Sequence, residues 1–262
     1  PAYIMNAEQT GDRNCIALIG RTPCKVIGRI KKGELLTTSN TPGYAVKALN
    51  PTLGAIIGKA LENKDYGEAG VIEGLLDKPE SDSRGVAVVA HPHPLFGGTM
   101  DNKVVQTLAR AFVQCGWTVA RFNFRGVGAS EGVHDAGAGE ARDFMSVVEQ
   151  VAPSGALAIA GFSFGSFVAS HVVQALWEQR AIEKIVFVGT ATERMAVAEL
   201  PASLHDKSLV VHGEQDDTVS LASVMDWARP QSLPITVVPG GGHFFHGQLP
   251  LLKSLVVRHL MA

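Results

Sequence analysis

A serine between two glycines is the part of this sequence that most directly indicates chemistry. Ser163 lies at the centre of the pentapeptide Gly161–Gly165, directly after the apolar run Leu157–Ala160. This pattern is typical of a nucleophile elbow, in which a strand turns sharply into a helix and presents a hydroxyl group at the turn. Only small residues fit two positions before and after such a serine, because the backbone and its neighbours come very close there. The pattern therefore predicts a nucleophilic serine.

An acid and a base follow this serine in the chain. Asp216 stands in a Gly-x-x-Asp-x-x-Val frame that begins at Gly213, and His243 ends a glycine-rich turn. A free serine hydroxyl is a poor nucleophile and needs an adjacent base. His243 would take the proton of Ser163 and return it to the leaving group, while Asp216 would orient the imidazole and stabilise its charged form. The three residues together predict covalent catalysis by a Ser-His-Asp triad.

The roles of the acid and of the base each have a second candidate residue. Asp217 is adjacent to Asp216, but only Asp216 has the right offset from the glycine and the valine of its frame. Taken alone, Asp216 could equally cap the helix that is predicted to start near residue 219. His246, three residues after His243, is a second candidate base, for which a structural position or a position on the rim of the site is favoured.

The segment that ends the first predicted parallel strand offers a site for negative charge. His91 and His93 lie two residues apart, which could suggest a metal site, but no third ligand cluster with suitable spacing accompanies them. An oxyanion-hole loop fits this position better. We expect the backbone N–H group of Phe164, together with that of His93 or Leu95, to hold the charge that develops on the substrate. No metal and no cofactor are expected.

A glycine-rich loop follows the second predicted parallel strand, within residues 121–132. A phosphate cradle is the alternative interpretation, but the loop lacks a Gly-Lys-Ser/Thr sequence and dinucleotide spacing. A structural loop beside the active site is therefore favoured.

The sequence pattern changes near residue 70, which indicates two domains. Residues 1–69 contain short β-type runs separated by turn residues, and they predict a small all-β domain with the form of a compact barrel. In residues 70–262, apolar runs alternate with amphipathic segments, which predicts an α/β fold with a mostly parallel sheet and helices on both faces. The segment 68–79 could close the barrel or form an early antiparallel strand of the sheet, and Val71–Leu76 is the strand expected within it. The predicted parallel strands are 85–90, 118–124, 157–161, 185–188, 209–212 and 235–238, and the predicted helices lie near 102–115, 138–151, 165–179, 219–229 and 248–260.

Length, composition and charge exclude several classes of protein. The chain has 262 residues, of which 46% are hydrophobic and 18% charged, so it can bury a sizeable core and is not a disordered chain. A net charge of −2 gives no electrostatic reason to expect nucleic acid or an anionic membrane as a partner. The three scattered cysteines favour free thiols in a reducing compartment. Since neither a signal peptide nor an apolar run of about 20 residues is visible, a cytoplasmic location is expected.

Five motifs between residues 91 and 246 occur together. They are His-Pro-x-Pro followed by Gly-Gly (91–98), Asn-Lys-Val-Val (102–105), Arg-Phe-Asn-Phe-Arg-x-Val-Gly (121–128), Gly-Phe-Ser-Phe-Gly (161–165) and His-Phe-Phe-His (243–246). On these motifs, residues 70–262 resemble the α/β-hydrolase superfamily and are particularly similar to a small bacterial branch of it. The resemblance implies an α/β-hydrolase fold with Ser163, Asp216 and His243 as the catalytic residues. It also implies a carboxylesterase acting on a small-molecule ester, with a thioesterase or a small-peptide hydrolase as alternatives that use the same triad.

Residues 12–74 resemble an unrelated family, a β module of phage virion and tail-fibre-type proteins. Residues 17–26, 30–36 and 54–62 carry this resemblance. It implies a role in assembly or binding, so the chain could instead be an assembly module that carries a hydrolase domain, and it could form a homo-oligomer through the first domain. The stretch Gly70–Glu73 suits both families and looks like the splice point of a natural fusion or of a recombination product.

The sequence leaves little room for a lid over the site. Only a short segment separates the predicted strand 185–188 from the next one at residue 209, where many relatives insert a lid. With an open cleft, we expect small soluble esters with short acyl chains as substrates. Five phenylalanines near the motifs are expected either to line an apolar acyl pocket or to belong to the core: Phe96, Phe162, Phe164, Phe244 and Phe245.

Overall fold

The computed structural model describes residues 71–262 throughout and, within the first 70 residues, a set of short strands. By contacts between residues, the chain divides into two compact units, Pro1–Gly70 and Val71–Ala262. Among the described residues, no helix combines the length and the apolarity needed to cross a membrane.

The described elements of the first unit are all β-strands. They are β1 (Ala2–Ile4), β2 (Cys15–Ala17), β3 (Lys25–Ile27), β4 (Arg29–Ile30), β5 (Leu35–Thr38), β6 (Tyr44–Lys47), β7 (Ile56–Lys59) and β8 (Lys64–Asp65). Four of them form a sheet in the order β3-β6-β5-β7, while β1 pairs with β2 and β4 pairs with β8. The closure of these strands into a barrel stays a prediction.

The second unit is built on a sheet of seven strands. These are β9 (Gly74–Asp77), β10 (Val86–Ala90), β11 (Thr118–Phe122), β12 (Leu157–Phe162), β13 (Ile182–Val188), β14 (Ser208–Gly213) and β15 (Ile235–Val238). Their order is β15-β14-β13-β12-β10-β11-β9, and every neighbouring pair is parallel except β11 and β9. The helices are α1 (Lys103–Gln114), α2 (Ala138–Val151), α3 (Phe164–Leu176), α4 (Leu221–Ala228) and α5 (Leu249–Met261). The predicted α/β fold is confirmed.

Both faces of this sheet are buried by helices. Successive residues of a strand point to opposite faces, and in β10 the residues Val88 and Ala90 join one hydrophobic cluster while Ala87 and Val89 join another. The first cluster contains side chains of α2, α3 and α4, and the second contains side chains of α1 and α5. A strand that is buried on both faces is apolar at most of its positions. This is why the parallel strands could be recognised as short continuous apolar runs.

The segment after the first unit forms the antiparallel edge of the sheet. Strand β9 pairs with β11 in a register that places Asp77 opposite Val119 and Gly74 opposite Phe122. The predicted strand Val71–Leu76 therefore begins three residues later than expected. Glu73, just before β9, is bonded to the loop after β11 and not to β11 itself. Its carbonyl accepts a hydrogen bond from the N–H of Asn123, just beyond the end of β11.

The glycine-rich loop after β11 is fixed by two buried arginines. Arg121 donates to Asp77 at 2.7 Å and to Asp101 at 3.2 Å. Arg125 donates to both carboxylate oxygens of Asp143 on α2, at 2.7 and 2.8 Å. Because both guanidinium groups are already paired with carboxylates, the geometry supports the structural interpretation of this loop over a phosphate cradle.

We predict that Asp143→Ala lowers the free energy of unfolding of the second unit by about 3 kcal/mol or more, because it leaves the buried Arg125 charge without a partner. Urea unfolding followed by tryptophan fluorescence measures this, since all three tryptophans of the chain lie in the second unit. The neighbouring variant Arg142→Ala is the matched control. It breaks an ion pair with Asp135 in which both side chains are about half exposed, so it should cost less than about 1 kcal/mol. Equal losses in the two variants would contradict the importance of the buried pair.

Candidate active site

Ser163 stands at a strained turn between β12 and α3. Its φ of 56° lies in the left-handed region, which non-glycine residues seldom adopt. A Cβ atom on Gly161 would come within 2.4 Å of the backbone of Gly165, and a Cβ on Gly165 would come within 2.5 Å of the carbonyl oxygen of Ala90. The two glycines of the motif are therefore required by the close packing of the helix start against the strands.

Ser163, His243 and Asp216 are joined by hydrogen bonds. The Nε2 atom of His243 lies 3.1 Å from Oγ of Ser163, and its Nδ1 atom lies 2.7 Å from Oδ2 of Asp216. All three side chains are buried or nearly so. The topology of the sheet explains why these three residues lie close together. They follow the carboxyl ends of the parallel strands β12, β14 and β15, and such ends lie along one edge of the sheet.

The two carboxylate oxygens of Asp216 have separate tasks. Oδ2 contacts His243, whereas Oδ1 accepts hydrogen bonds from the N–H groups of Thr218 and Val219 at 2.9 and 2.8 Å. Burial by itself would raise the pKa of Asp216, but the hydrogen bonds from His243 and these N–H groups outweigh it and hold the pKa below its ordinary value. Asp216 thus both fixes the turn before α4 and keeps a negative charge beside His243.

The second candidates for the acid and the base, Asp217 and His246, lie apart from the hydrogen-bonded group of Ser163, His243 and Asp216. Asp217 is exposed, and its Oδ1 accepts only from the hydroxyl of Thr218 at 3.3 Å among the described contacts. His246 is also exposed, with its ring 5.9 Å from the ring of Phe244. Neither contacts Ser163 or His243 by a hydrogen bond in the described part of the chain.

The loop after β10 narrows the choice of oxyanion donors. The N–H of Leu95 donates to Nδ1 of His93 at 3.2 Å, so it is already occupied. The N–H groups of His93 and Phe164 have no hydrogen-bond acceptor among the described residues. A Cβ on Gly98 would come within 2.1 Å of the carbonyl oxygen of Pro92, so the loop can fold this tightly only with glycine there. Of the two expected alternatives, the geometry favours His93 with Phe164.

His91 is a buried structural residue, and because both of its ring nitrogens are hydrogen-bonded it is not available to bind a metal. It is fully buried, its Nδ1–H donates to the carbonyl of Pro92 at 2.6 Å, and its Nε2 accepts from the N–H of Phe124 at 2.9 Å. Burial lowers the pKa of His91 to about 4, so the ring is neutral. Across residues 71–262 and the strands of the first unit, no three His, Cys, Asp or Glu side chains form a group that could hold a metal ion.

Two further histidines near the site, His134 and His212, were not predicted from the sequence. His134 lies 2.8 Å through Nδ1 from the buried carboxylate of Glu140, and its ring packs against the ring of Phe164 at 5.5 Å. His212 is fully buried, and its Nε2 atom donates to the carbonyl of Val219. Neither stands in a recognisable motif for its role, because tertiary packing rather than local spacing brings them to the site.

The five phenylalanines divide between core and surface. Phe162, Phe164 and Phe245 are almost completely buried, and Phe162 packs against the ring of His243 at a centroid distance of 4.9 Å. Phe96 and Phe244 are 80% and 43% exposed. The three buried rings belong to the hydrophobic core, and of these five phenylalanines the two exposed ones are accessible to a ligand.

Comparison with known proteins identifies the family. Residues 84–249 match the family model of the alpha/beta hydrolase domain, and the chain belongs to that family. An alpha-beta serine hydrolase homologue from Coxiella burnetii is 36% identical with a TM-score of 0.63, covering 72% of this chain and 91% of that chain. An alpha/beta serine hydrolase without a lid from Xanthomonas campestris is 34% identical with a TM-score of 0.65, covering 72% of this chain and 88% of that chain. An uncharacterised protein of Rickettsia prowazekii is 33% identical over 193 residues, which are 68% of this chain and 79% of that protein. The chain is a hydrolase.

We predict that the stability of the second unit falls as the pH drops from about 6.5 to about 4. His91 has a pKa of about 4 in the folded chain and an ordinary value of 6.5 when unfolded, so the unfolded chain binds more protons in this window. The stabilisation is complete above pH 6.5 and is lost towards pH 4, by up to about 3 kcal/mol for this residue. Urea unfolding at several pH values should show a smaller pH slope for His91→Gln than for the wild type. The exposed His246→Gln variant should keep the wild-type slope, and identical slopes in all three proteins would disprove the assignment.

Proposed function

We propose that the second unit is a carboxylesterase that uses Ser163 as nucleophile, His243 as general base and acid, and Asp216 as the residue that orients His243. The observation that carries this proposal is the continuous hydrogen-bonded series from Asp216 through His243 to Ser163, placed at a strained elbow. This arrangement supplies an activated hydroxyl group at the carboxyl edge of the sheet.

The first half of the reaction follows from these positions. As Oγ of Ser163 bonds to the ester carbonyl carbon, its proton passes to Nε2 of His243, and the carbonyl oxygen becomes an oxyanion. The free N–H groups of Phe164 and His93 would stabilise that oxyanion. When the C–O bond to the alcohol breaks, His243 gives its proton to the leaving alkoxide, and the acyl group stays on Ser163.

The second half repeats these steps with water. His243 removes a proton from a water molecule as the water oxygen bonds to the acyl carbon. The bond between the acyl carbon and Oγ of Ser163 then breaks, and His243 returns the proton to Oγ. The carboxylic acid leaves, and the ionised Asp216 stabilises the imidazolium each time it forms.

The short connection between β13 and β14 supports small substrates. Between Val188 and Ser208 the only helical element is the short 3₁₀ helix Ala202–Lys207, and the serine hydrolase from Xanthomonas campestris is itself described as lacking a lid. An open cleft suits soluble esters with short acyl chains. Thioesters and small peptides are the rival substrates of the same triad, but an amide leaving group is harder to expel and needs tighter positioning.

The first unit has a separate proposed role in assembly or solubility. Its described strands form small sheets, and its sequence resembles a structural module of phage particles. A homo-oligomer that forms through this unit would be compatible with a hydrolase whose catalytic groups all lie after residue 90.

We predict that Ser163→Ala lowers ester hydrolysis by about a thousandfold or more, because no other group can form the acyl intermediate. His243→Gln should cost a similar factor, whereas His246→Gln should stay within about threefold of the wild type, since the exposed ring takes no part in the mechanism. Rates are measured with p-nitrophenyl esters of increasing acyl length, an acetyl thioester and an anilide, with folding checked by circular dichroism. Retained activity in Ser163→Ala, or a wild type that cleaves only the thioester or only the anilide, would contradict the proposal.

We predict that Gly189→Ala lowers kcat by about 10- to 100-fold through a small displacement of the base. Gly189 has a φ of +53°, and a Cβ atom there would lie 3.3 Å from Cε1 of His243. Gly155→Ala is the matched control, because Gly155 has a φ of +82° but nothing within 4 Å of an added Cβ. Both variants should lose similar stability from backbone strain, while kcat should fall only in Gly189→Ala. Equal kcat values in the two variants would show that His243 tolerates the contact.

A further inference from the structure

Three large apolar side chains are exposed beside the candidate site. Leu95, Phe96 and Val133 have 69%, 80% and 68% of their surface exposed, and we call these three side chains the apolar rim. A single exposed apolar residue is ordinary, but a group of them next to a reactive centre indicates a binding surface. The mechanism proposed above uses none of these side chains.

A series of ring contacts connects Phe96 of the apolar rim with His93 and Phe164. The ring of Phe96 lies 4.8 Å from that of His93, and His93 lies 4.8 Å from Phe164. His134, which follows Val133 in the chain, lies 4.9 Å from His93. Since the N–H groups of His93 and Phe164 are the proposed oxyanion donors, the rim and these donors belong to the same small group of residues.

The buried carboxylate of Glu140 fixes the loop that carries His134. The Nδ1 atom of His134 lies 2.8 Å from Oε1 of Glu140, which is completely buried. The same carboxylate accepts from the N–H groups of Asp135 and Gly137 at 2.9 and 2.8 Å. A surface that is fixed before the ligand arrives loses less entropy on binding. The loop that places His134 beside His93 is fixed in this way by hydrogen bonds within the protein.

We propose that the apolar rim binds an aromatic ring carried by the ester substrate, an inference that rests on the proposed esterase function. Aromatic side chains contribute edge-to-face and offset contacts to another ring beyond simple burial of area, and four rings here are tilted against one another at 43–59°. A protein partner fits less well, because a stable interface takes about 20–30 residues on each side, whereas three apolar side chains match the size of one ring.

The test compares esters that differ only in the aromaticity of one group. Benzyl acetate and cyclohexylmethyl acetate carry the ring on the alcohol side, and ethyl phenylacetate and ethyl cyclohexylacetate carry it on the acyl side. The saturated ring is at least as hydrophobic, so burial alone gives no preference for the aromatic member. In the full wild-type chain we expect kcat/KM to favour the aromatic member about fivefold in one of the two pairs. The pair that shows the preference tells which half of the ester meets the rim.

The variants distinguish recognition of the ring from general loss of activity. Phe96→Leu should bring the preference close to one, and Phe96→Ala should lower kcat/KM for both members. Met261→Ala is the control, since Met261 is 70% exposed at the end of α5 and should change neither value. Binding of the preferred aromatic ester to Ser163→Ala, followed by NMR, should be weakened by adding Phe96→Leu.

Each alternative outcome has a definite meaning. If the wild type hydrolyses no ester, the proposed function and this inference are both wrong. If the wild type hydrolyses esters without an aromatic preference, or keeps its preference in Phe96→Leu, the esterase proposal stands and the rim inference is wrong. Binding to phosphatidylcholine vesicles that Phe96→Ala abolishes, without an aromatic preference, would assign the rim to a lipid surface instead.

Discussion

The close approach of β12, β10 and the start of α3 is the constraint on which the rest of the site depends. Ser163 adopts a left-handed backbone conformation, and such strain persists only where the surroundings hold it. Here the N–H of Ser163 donates to the carbonyl of Val188 at 2.8 Å, and the hydroxyl of Ser166 donates to the carbonyl of Gly161 at 2.7 Å. These buried hydrogen bonds tie the turn to two neighbouring strands, so the serine hydroxyl is presented by the sheet itself and not by a loose loop.

Much of this arrangement could be predicted because burial imposes a simple pattern on the sequence. Parallel strands that are covered on both faces read as continuous apolar runs, and the six predicted ones overlap the observed strands. The glycines at 161 and 165 were predicted from crowding, and the structure shows the crowding atom by atom. The assignment of catalytic roles to Ser163, Asp216 and His243 stays a prediction that the hydrogen bonds among them support.

What the sequence could not reveal depends on contacts between distant residues. The start of β9 at Gly74 is set where its neighbours stop pairing with β11 and begin to pair with the following loop. The N–H of Leu95 is occupied because the side chain of His93 folds back onto it, and no spacing rule anticipates that contact. The pairing of His134 with Glu140 likewise arises from the fold of the loop before α2, where Glu140 also receives two backbone N–H groups.

The hydrogen-bond partners of the histidines around the site support His243 as the proposed base. His91 uses both ring nitrogens in hydrogen bonds to the backbone, and burial lowers its pKa to about 4. His212 lies 3.6 Å from Asp216, but burial lowers its pKa and its Nε2–H is directed to the carbonyl of Val219. His243 alone among these three has a carboxylate on one nitrogen and the serine hydroxyl on the other. Burial thus disfavours the charged form of His91 and His212, and the carboxylate of Asp216 contacts the imidazole of His243, the proposed base.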